Sequence, residues 1–390
     1  MRVVVIGAGV GGLTLALLLR QRGIEADVLE RSPELREVGA AVSLSANGTR
    51  VLRHLGLDGK LAAISLEPAA VIHRDGRDGR VIAVTKDPGW YRDRFGAPMY
   101  SVARNALQRL LAGALGTRRL HLGSAVDALR EGTGGVQVLC ASGAVFDADV
   151  VVGADGVHSM IRDWVSGGSG PVYSGASGFR GLVPVDRVPL LPDPDAAQVW
   201  MGPGAHVVTY PVPVDDVPMI NFLAVADEPA QWTASAWTQD AGPGSLLTRF
   251  AGWHPSLLDL LDAVPQSPRW ALFASRPLVR WSRGRVTLLG DAAHAMLPHY
   301  GQGANQSIED AAVLTGELDA VLDKGTDPAD ALRGYQRRRL ARTRKLQKLS
   351  WDASAELHLP DGPAARRRDA GLHDLVDRMA WIHAYDALAR

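Results

Sequence analysis

The beginning of the chain constrains the fold more than any other segment. Residues 3–6, Val-Val-Val-Ile, are a continuous run of β-branched residues, which is typical of a strand buried on both faces of a parallel sheet. A glycine-rich turn at 7–12 follows, then an apolar helix is predicted at 13–22 and a second strand at 26–30. This order predicts a β-α-β unit at the start of an α/β fold.

The spacing of the turn glycines has a physical meaning. Gly7, Gly9 and Gly12 permit a tight turn, a close approach of the backbone to a pyrophosphate, and close packing of helix on strand. The following helix N-terminus offers free N–H groups to phosphates. Glu30 closes the second strand, where its carboxylate can accept hydrogen bonds from ribose hydroxyls. A plain glycine turn would not explain Glu30, so the segment predicts a nucleotide site, for either NAD or FAD.

A second segment far along the chain distinguishes the two nucleotides. A buried strand is predicted at 285–289, and the sequence Gly-Asp-Ala-Ala-His at 290–294 leads through Pro298 into a glycine-rich helix start at 301–305. An acid at a strand end and a helix N-terminus together form a second site for a polyol and an anion. NAD needs one such site, whereas an extended FAD needs two, the second for its ribityl chain and pyrimidine edge. The sequence therefore predicts non-covalent FAD.

The rest of the chain predicts a Rossmann-like FAD-binding domain with an insertion. Residues 1–170 and 276–327 are predicted to form the FAD-binding domain, and 328–390 a C-terminal helical region. Residues 171–275, rich in Pro and Trp with short strand-like pieces, predict an inserted, mainly antiparallel sheet that holds the substrate.

Charge and cysteine content limit the partners and the compartment. The chain has 42 basic and 42 acidic residues, which argues against a nucleic-acid binder. The basic run at 333–348 is predicted to be a solvated helix face or one that pairs with acids elsewhere. The single cysteine, Cys140, excludes an internal disulfide and fits a cytoplasmic location. The single cysteine also excludes a cysteine-based metal cluster, and we expect no metal site. We expect no signal peptide, because Met1-Arg2 leads straight into a strand-like run. We expect no membrane span, because no apolar run approaches the roughly 18 to 20 residues needed.

A third motif lies between these segments, Gly153-Ala154-Asp155-Gly156-x-x-Ser159-x-x-Arg162. By itself it is also explained by a strand end followed by a capped helix. In this order and spacing, however, the three motifs resemble those of the single-component (group A) FAD-dependent aromatic hydroxylases. The resemblance is to the salicylate-hydroxylase-like branch, which includes 3-hydroxybenzoate 6-hydroxylase and FAD-dependent urate hydroxylase. It covers roughly residues 1–350. Its other parts are 38–43 with Asn47, the helix start Arg104-x-x-Leu107, and, most specifically, 290–310.

The resemblance implies a role for each residue of the cofactor site. The ADP part of FAD would be held by Gly7, Gly9, Gly12, Glu30 and Arg31. Ser43, Arg104 and Val126 would contact FAD further along, Asp291 would bind the ribityl chain, and the backbone of Gly303, Ala304 and Asn305 would face the pyrimidine ring. Asp155 would support the use of both FAD and NAD(P)H.

The resemblance also implies the reaction. NADH or NADPH would reduce FAD, O₂ would add at the flavin C4a, and the resulting hydroperoxide would hydroxylate an electron-rich aromatic or heteroaromatic small molecule. The protein must then orient the ring, exclude water and draw a proton from the substrate. A base with a pKa near 7 suits this last task, which favours histidine. The protein would act as a monomer or a homodimer.

Four residues are the catalytic candidates. His206 and Tyr210 reproduce the spacing of a catalytic histidine and a tyrosine in 3-hydroxybenzoate 6-hydroxylases, although His206 could equally be a hydrogen-bonded histidine of the sheet. Urate hydroxylases carry arginine at the position of His206, which disfavours urate. Gln302 would lie beside the substrate, and Pro298 would shape the pocket floor through its backbone.

Other residues near these motifs have weaker assignments. His294 is predicted to be structural, His299 and Tyr300 face either pocket or solvent, and Arg180 is a candidate for binding a carboxylate. Two alternatives to a hydroxylase remain open: an FAD-dependent dehydrogenase or reductase of the same superfamily, and a redox-silent FAD-binding protein. Consumption of O₂ in step with product, and bleaching of the flavin by NAD(P)H, would distinguish the three.

Overall fold

A computed structural model describes residues 1–35, 41–85, 87–132, 134–168, 170–228, 232, 237–242, 244–264 and 267–389 of the chain. Residues 38–40 of the motif at 38–43 lie outside these described residues.

The described strands are short in the N-terminal half and long in the middle of the chain. In chain order they are β1 (Val3–Ile6), β2 (Ala26–Leu29), β3 (Ala41–Leu44), β4 (Ser65–Leu66), β5 (Val71–Asp75), β6 (Val81–Val84), β7 (Tyr100–Ala103), β8 (Leu120–His121), β9 (Val126–Gly132), β10 (Gly135–Cys140), β11 (Val145–Ala148), β12 (Val150–Gly153), β13 (Val172–Pro184), β14 (Ala197–Gly202), β15 (Ala205–Val214), β16 (Val217–Asp227), β17 (Thr238–Gln239), β18 (Arg269–Ala274), β19 (Ser282–Arg283) and β20 (Val286–Leu288).

The described helices become longer toward the C-terminus. They are α1 (Val10–Gln21), α2 (Ala46–His54), α3 (Asp58–Ala63), α4 (Pro88–Phe95), α5 (Arg104–Leu115), α6 (Met160–Ser166), α7 (Ser245–Arg249), α8 (Pro255–Asp262), α9 (Asp291–His294), α10 (Gly303–Lys324), α11 (Pro328–Leu357), α12 (Pro363–Leu372) and α13 (Leu375–His383). Single 3-10 turns lie at Val185–Arg187 and Pro298–Tyr300.

The first sheet contains the predicted β-α-β unit. Its strand order is β19-β20-β12-β1-β2-β8, and all its neighbours are parallel except β19 and β20. The β-branched residues of β1 and β12 are fully buried because helices cover both faces of such a sheet. This arrangement and the second sheet described next confirm the predicted α/β fold class.

The second sheet is the predicted inserted one, with two additional strands. Its order is β17-β18-β13-β16-β15-β14-β5-β6, and it is antiparallel except between β14 and β5. Strands β5 and β6 come from residues 71–84, outside the predicted 171–275, and join only through the parallel pairing of β5 with β14. One face of the sheet packs on an apolar core that includes Trp200, Phe250 and Leu257. Two three-stranded sheets, β11-β10-β9 and β3-β7-β4, complete the fold.

Two predicted helix boundaries differ from the structure. The first helix begins at Val10 rather than Leu13, because the last residues of the glycine turn already have helical geometry. The spacing of Val51, Leu52 and Leu55 also predicts a helix at 47–57. That helix ends at His54, and Gly56 with φ of 73° separates it from α3, since a left-handed residue cannot continue a helix.

The predicted C-terminal helical region folds back on the rest of the molecule. Helix α11 packs beside α10, and α13 covers the apolar side of α4, where Val376 and Ala380 contact a cluster containing Tyr91 and Phe95. None of the described helices is long and apolar enough to cross a membrane.

Candidate active site

One large cavity runs between the two main sheets. Its volume is about 1290 Å³, which exceeds the roughly 300–1,000 Å³ of a typical small-ligand pocket. The carboxyl ends of β1 and β2 and the start of α1 line one end, and the inner face of the second sheet lines the other. The cavity therefore has room for a dinucleotide and a small substrate side by side.

The glycine turn after β1 leaves no space for side chains. A Cβ atom on Gly7, whose φ is 111°, would lie 2.3 Å from the carbonyl oxygen of Ala154, and a Cβ on Gly12 would lie 2.1 Å from that of Gly7. Helix α1 has Gly9 as its N-cap and therefore no side-chain cap. Its free N–H groups therefore face the cavity, as phosphate binding requires.

Glu30 is held in place at the edge of the same turn. Its carboxylate accepts hydrogen bonds from the backbone N–H groups of Ala8 and Ser32, both at 2.9 Å. Arg31 lies next to it in the cavity wall. The two bonds orient the carboxylate, and its remaining lone pairs can accept from a ribose.

The second predicted site, for a polyol and an anion, lies at the start of α10. Helix α10 begins after Gln302 without a side-chain cap. Asp291, at the start of α9, lines the cavity, and its carboxylate has no hydrogen-bonding partner among the described residues. A free carboxylate beside a free helix N-terminus fits a polyhydroxyl chain that ends in an electron-rich ring.

Nearly all of the predicted cofactor residues reach this cavity. Those that line it are Gly7, Gly9, Gly12, Glu30, Arg31, Ser43, Arg104, Val126, Asp155, Asp291, Gly303 and Ala304. Asn305 does not: it is buried, and its side-chain amide bonds the backbone of Ser45, Ser43 and Gly301. Its side chain therefore holds the two loops that border the cavity. The two helix N-termini and the glycine cradle fit FAD.

Asp155 has a structural role as well. Its carboxylate accepts a hydrogen bond of 2.5 Å from the Ser159 hydroxyl, which in turn caps α6 by accepting from the N–H of Arg162 at 2.9 Å. Burial raises the pKa of Asp155. The capped helix that the sequence allowed is therefore present, and Asp155 still lines the cavity.

A buried ion cluster supports the start of α10 and had not been assigned from the sequence. Arg339 of α11 contacts Glu309 at 2.5 Å and Asp310 at 2.6 Å, and Arg342 contacts Glu309 at 2.7 Å. Burial alone would raise the pKa of Asp310, but His294 and Arg339 lower it to about 2. The predicted basic run thus pairs with acids elsewhere in the chain, and His294 bonds Asp310 at 2.6 Å, as its structural assignment predicted.

Gln302 is tied to its neighbours by its amide. Its Nε2 donates to the Ser45 hydroxyl at 3.0 Å, and its Oε1 accepts from Asn47 at 3.1 Å. Asn47 also donates to Glu309 at 2.6 Å. Gln302 lines the cavity together with Pro298, and these bonds leave the second N–H of its amide available to a substrate.

The second sheet supplies the wall at the other end of the cavity. Arg180 of β13, Val208 and Tyr210 of β15 and Leu223 of β16 all face the cavity. Burial raises the pKa of Tyr210, so its hydroxyl stays protonated. The guanidinium of Arg180 lies over the Trp270 ring at 5.4 Å and has no ion pair or hydrogen bond with any described residue.

The predicted base, His206, is not among the residues that line the cavity. It is fully buried, and its Nδ1 lies 2.7 Å from Nε2 of His358. Burial, with His299 and His358 nearby, lowers its pKa well below 6.5. His299 stands in front of it, in the cavity wall, with ring centroids 5.0 Å apart. The structure therefore places His206 one ring behind the pocket surface, and its role as the base stays a prediction.

The C-terminal helices contribute a wall that no motif indicated. Leu357, Leu359, Leu372, Leu375 and Met379 line the cavity. Leu357 ends α11, Leu359 follows it, and the other three lie on α12 and α13. Apolar residues of this kind are equally typical of any packed helix.

These features define a class of protein. A Rossmann-like sheet with a glycine cradle, a second helix N-terminus and a separate sheet over a small-molecule pocket make an FAD-binding oxidoreductase. The sequence matches the family described as FAD binding domain over residues 1–350, and the chain belongs to this family. Among the described residues, no group of His, Cys, Asp or Glu is arranged to hold a metal ion.

Known proteins similar to this chain are flavin-dependent hydroxylases or monooxygenases. The 3-amino-4-hydroxybenzoate 2-monooxygenase PtmB3 of Streptomyces platensis is 38% identical over 99% of this chain and 96% of its own. Salicylate hydroxylase of Pseudomonas putida is 31% identical over 99% and 93%. The crystal structure of Klebsiella pneumoniae HpxO complexed with FAD and uric acid superposes with a TM-score of 0.86 and 30% identity, over 100% of this chain and 97% of that one.

The chain is therefore an FAD-dependent monooxygenase that hydroxylates a small aromatic or heteroaromatic molecule with NAD(P)H and O₂. The family, cofactor and reaction predicted from the sequence are confirmed, and the reductase and redox-silent alternatives are not favoured. Bound FAD supplies the redox chemistry, and the protein's own residues orient the substrate and exclude water.

Proposed function

We propose that the substrate is an aromatic carboxylic acid that carries a ring hydroxyl group, of the aminohydroxybenzoate type. The observation that carries this proposal is the cation of Arg180 at the cavity wall, which no described acid neutralises. A partly buried charge without a partner is unfavourable, so a substrate anion would compensate it. The similar 3-amino-4-hydroxybenzoate and salicylate enzymes act on carboxylates of this kind.

The strand register supports a defined orientation for such a ring. Arg180 pairs with Leu223 across β13 and β16, and Leu223 pairs with Val208 across β16 and β15. Tyr210 lies two residues beyond Val208 and therefore on the same face. The cation would bind the carboxylate, the two aliphatic side chains would contact the ring, and the phenol of Tyr210 would donate a hydrogen bond to a ring substituent.

The charge around Arg180 also favours an anion. Burial and, second to it, the nearby Arg104 lower the pKa of Arg180, so a bound carboxylate would stabilise the charged guanidinium. Arg104 itself lies in the predicted path of FAD. In this proposal Arg180 binds the substrate carboxylate close to Arg104 of the cofactor site. Gly7, Gly9, Gly12, Glu30, Arg31, Ser43, Val126, Asp155, Asp291, Gly303 and Ala304 keep their predicted cofactor roles, and the Asn305 side chain supports the loops beside them.

Substrate identity is tested by a screen. The FAD-loaded enzyme is given NADH or NADPH, O₂ and each of 3-amino-4-hydroxybenzoate, salicylate and 6-hydroxynicotinate, and O₂ uptake and product mass are measured. We expect a product 16 mass units heavier from a hydroxylated aromatic acid, since one oxygen atom is inserted. NAD(P)H oxidation with no gain of oxygen by any aromatic acid would contradict the proposal.

Arg180 is tested with a matched pair of ligands. For Arg180→Ala we expect KM for the acid to rise about 10- to 150-fold, which corresponds to the roughly 1.5–3 kcal/mol of a hydrogen bond to a charged group. KM for the methyl ester of the same acid should change little. Arg187→Ala removes an exposed arginine beyond the same strand and serves as the control. Equal losses for acid and ester would argue against carboxylate binding by Arg180.

Three further expectations stay proposals. We infer a cytoplasmic location, which is supported by the single cysteine, Cys140, being buried and free. A monomer or a homodimer, and the four-part division of the chain at 170, 275 and 327, are likewise proposed.

A further inference from the structure

Three histidines and an aspartate form a continuous row from the cavity to the protein surface. His299, in the 3-10 turn at Pro298–Tyr300, lines the cavity. Its ring lies 5.0 Å from that of His206 on β15. Nδ1 of His206 is 2.7 Å from Nε2 of His358 at the end of α11. Nδ1 of His358 is 2.6 Å from the carboxylate of Asp227, whose side chain is 58% exposed.

The outer end of the row determines which nitrogens carry protons. An ionised carboxylate only accepts hydrogen bonds, so Nδ1 of His358 must donate to Asp227. A neutral His358 then accepts at Nε2, and Nδ1 of His206 is the donor. This leaves a lone pair on Nε2 of His206, which is buried and has no hydrogen-bonding partner. Each hydrogen bond thus points outward, and an unused acceptor remains at the inner end.

His299 lies between this acceptor nitrogen and the cavity. Both of its ring nitrogens are buried without a hydrogen-bonding partner, which is unusual for a native side chain and calls for an explanation. No hydrogen bond joins His299 to His206 in the observed conformation. Proton transfer across this gap therefore requires the His299 side chain to rotate, so that one ring nitrogen reaches Nε2 of His206 while the other contacts a ligand in the cavity.

The rings carry no stored positive charge at neutral pH. Burial, with His358 as the next contribution, lowers the pKa of His299 to about 3, and burial followed by His299 and His358 lowers that of His206. The titratable groups around each ring are the other histidines of the row, and His358 also faces Asp227. Neutral imidazoles accept at one nitrogen and donate at the other, so the row suits proton transfer rather than proton storage.

We propose that this row conducts the phenolic proton of the bound substrate to solvent. It rests on the proposed function, because it requires a substrate with a ring hydroxyl. The O–H bond of the substrate breaks as His299 gains a proton at one nitrogen and gives one from the other to Nε2 of His206. His206 passes its Nδ1 proton to His358, which passes its own to Asp227 and water. One proton leaves the phenol, one reaches solvent, and no electrons are transferred to or from the row.

Proton release is measured without turnover. FAD-loaded enzyme, without NAD(P)H, is mixed in a stopped-flow instrument with 3-hydroxy-4-nitrobenzoate in weakly buffered solution containing a pH indicator. We expect proton release on binding in the wild type. We expect release to slow about 100-fold, a typical contribution of general acid–base transfer, in His299→Gln and His206→Gln. Asp227→Ala, at the exposed end, should slow it as well, and Asp227→Glu should restore it because the carboxylate is retained.

The control is His54→Gln, which changes an exposed histidine at the end of α2 and should leave release unchanged. Slow release in His299→Gln alone would overturn the row and leave His299 as a direct base. Unchanged release in His299→Gln, or no release by the wild type, would overturn the proposal altogether. Because the assay needs neither NAD(P)H nor O₂, its outcome is independent of the substrate screen, so failure of the proposed function is read separately.

Discussion

The glycines of the cofactor site are required because they have no Cβ atom. Gly12 lies in the first turn of α1, where the backbone passes so close to Gly7 that a methyl group has no space. Gly113, in α5, has nothing within 4 Å of the position where its Cβ would be. The same residue type is therefore essential in one helix and replaceable in another.

This contrast gives a direct test. Gly12→Ala places a Cβ 2.1 Å from the carbonyl oxygen of Gly7, so the turn must shift and we expect FAD retention to be lost. Gly113→Ala should retain FAD and raise the free energy of unfolding by up to about 1 kcal/mol, since alanine restricts the unfolded chain. The ratio of FAD to protein after gel filtration and urea unfolding measure the two effects. Full FAD retention by Gly12→Ala would refute the close-approach argument.

The sequence revealed cofactor residues better than residues of the substrate side. Gly7, Gly12 and Glu30 lie within one β-α-β unit, so local spacing was sufficient to predict their site. His206, Asp227, His299 and His358 are separated by long stretches of chain, and their proximity depends on how β15, β16, the turn at 298–300 and the end of α11 pack. No local pattern carries that information, and the sequence therefore left open whether His206 contacts the substrate or is a hydrogen-bonded histidine of the sheet.

Among the helices, α10 depends on α11 for its position. The N-terminus of α10 faces the cavity, and one turn and a half later the buried acids Glu309 and Asp310 meet Arg339 and Arg342 of α11. The sequence predicted both helices and a possible pairing of the basic run with acids. It could not indicate which arginines are buried, because basic residues recur throughout the run.

Arg339 lies on the buried side of α11, and Arg337 lies on its solvated side. Arg339→Met leaves Glu309 and Asp310 buried with fewer partners, and we expect a loss of about 3–5 kcal/mol in the free energy of unfolding, together with weaker FAD retention. Arg337→Met changes an exposed residue two positions earlier and should stay within about 0.5 kcal/mol of the wild type. Urea unfolding of the FAD-free protein decides the matter: equal effects of the two substitutions would show that the cluster does not stabilise α10.

At the scale of the whole molecule, neutral histidines are buried in three places. They lie where the second sheet, the α4 segment and the C-terminal helices meet. Burial is the main cause in each case. It lowers the pKa of His73 on β5 to about 4, of His299 to about 3 and of His383 on α13 to about 4. His383 also bonds the hydroxyl of Tyr91 at 2.7 Å. Folding of these parts therefore requires uncharged imidazoles in three separate places.

The burial of these histidines makes the free energy of unfolding depend on pH. In the unfolded chain a histidine has a pKa near 6.5, so above that pH these side chains are neutral in both states and stability is at its full value. As the pH falls from 6.5 toward 4, the unfolded chain binds protons that the folded protein cannot. Each histidine then lowers the free energy of unfolding by up to about 1.4 kcal/mol per pH unit. Asp310, with its pKa of about 2, adds its loss only below about pH 4.

Urea unfolding of the FAD-free protein at pH 7.5, 6.5, 5.5 and 4.5 measures this effect, and we expect the loss to begin below pH 6.5. His383→Gln removes one of the three groups, so its free energy of unfolding should fall less steeply with pH than that of the wild type, by up to about 1.4 kcal/mol per pH unit. Its value at pH 7.5 also registers the lost bond to Tyr91, which is why the slope is compared rather than the stability itself. A wild-type stability that stays constant between pH 7 and 5 would mean that the three histidines are hydrated or protonated in the folded protein, and the packing of α13 over α4 would have to be looser than the structure shows.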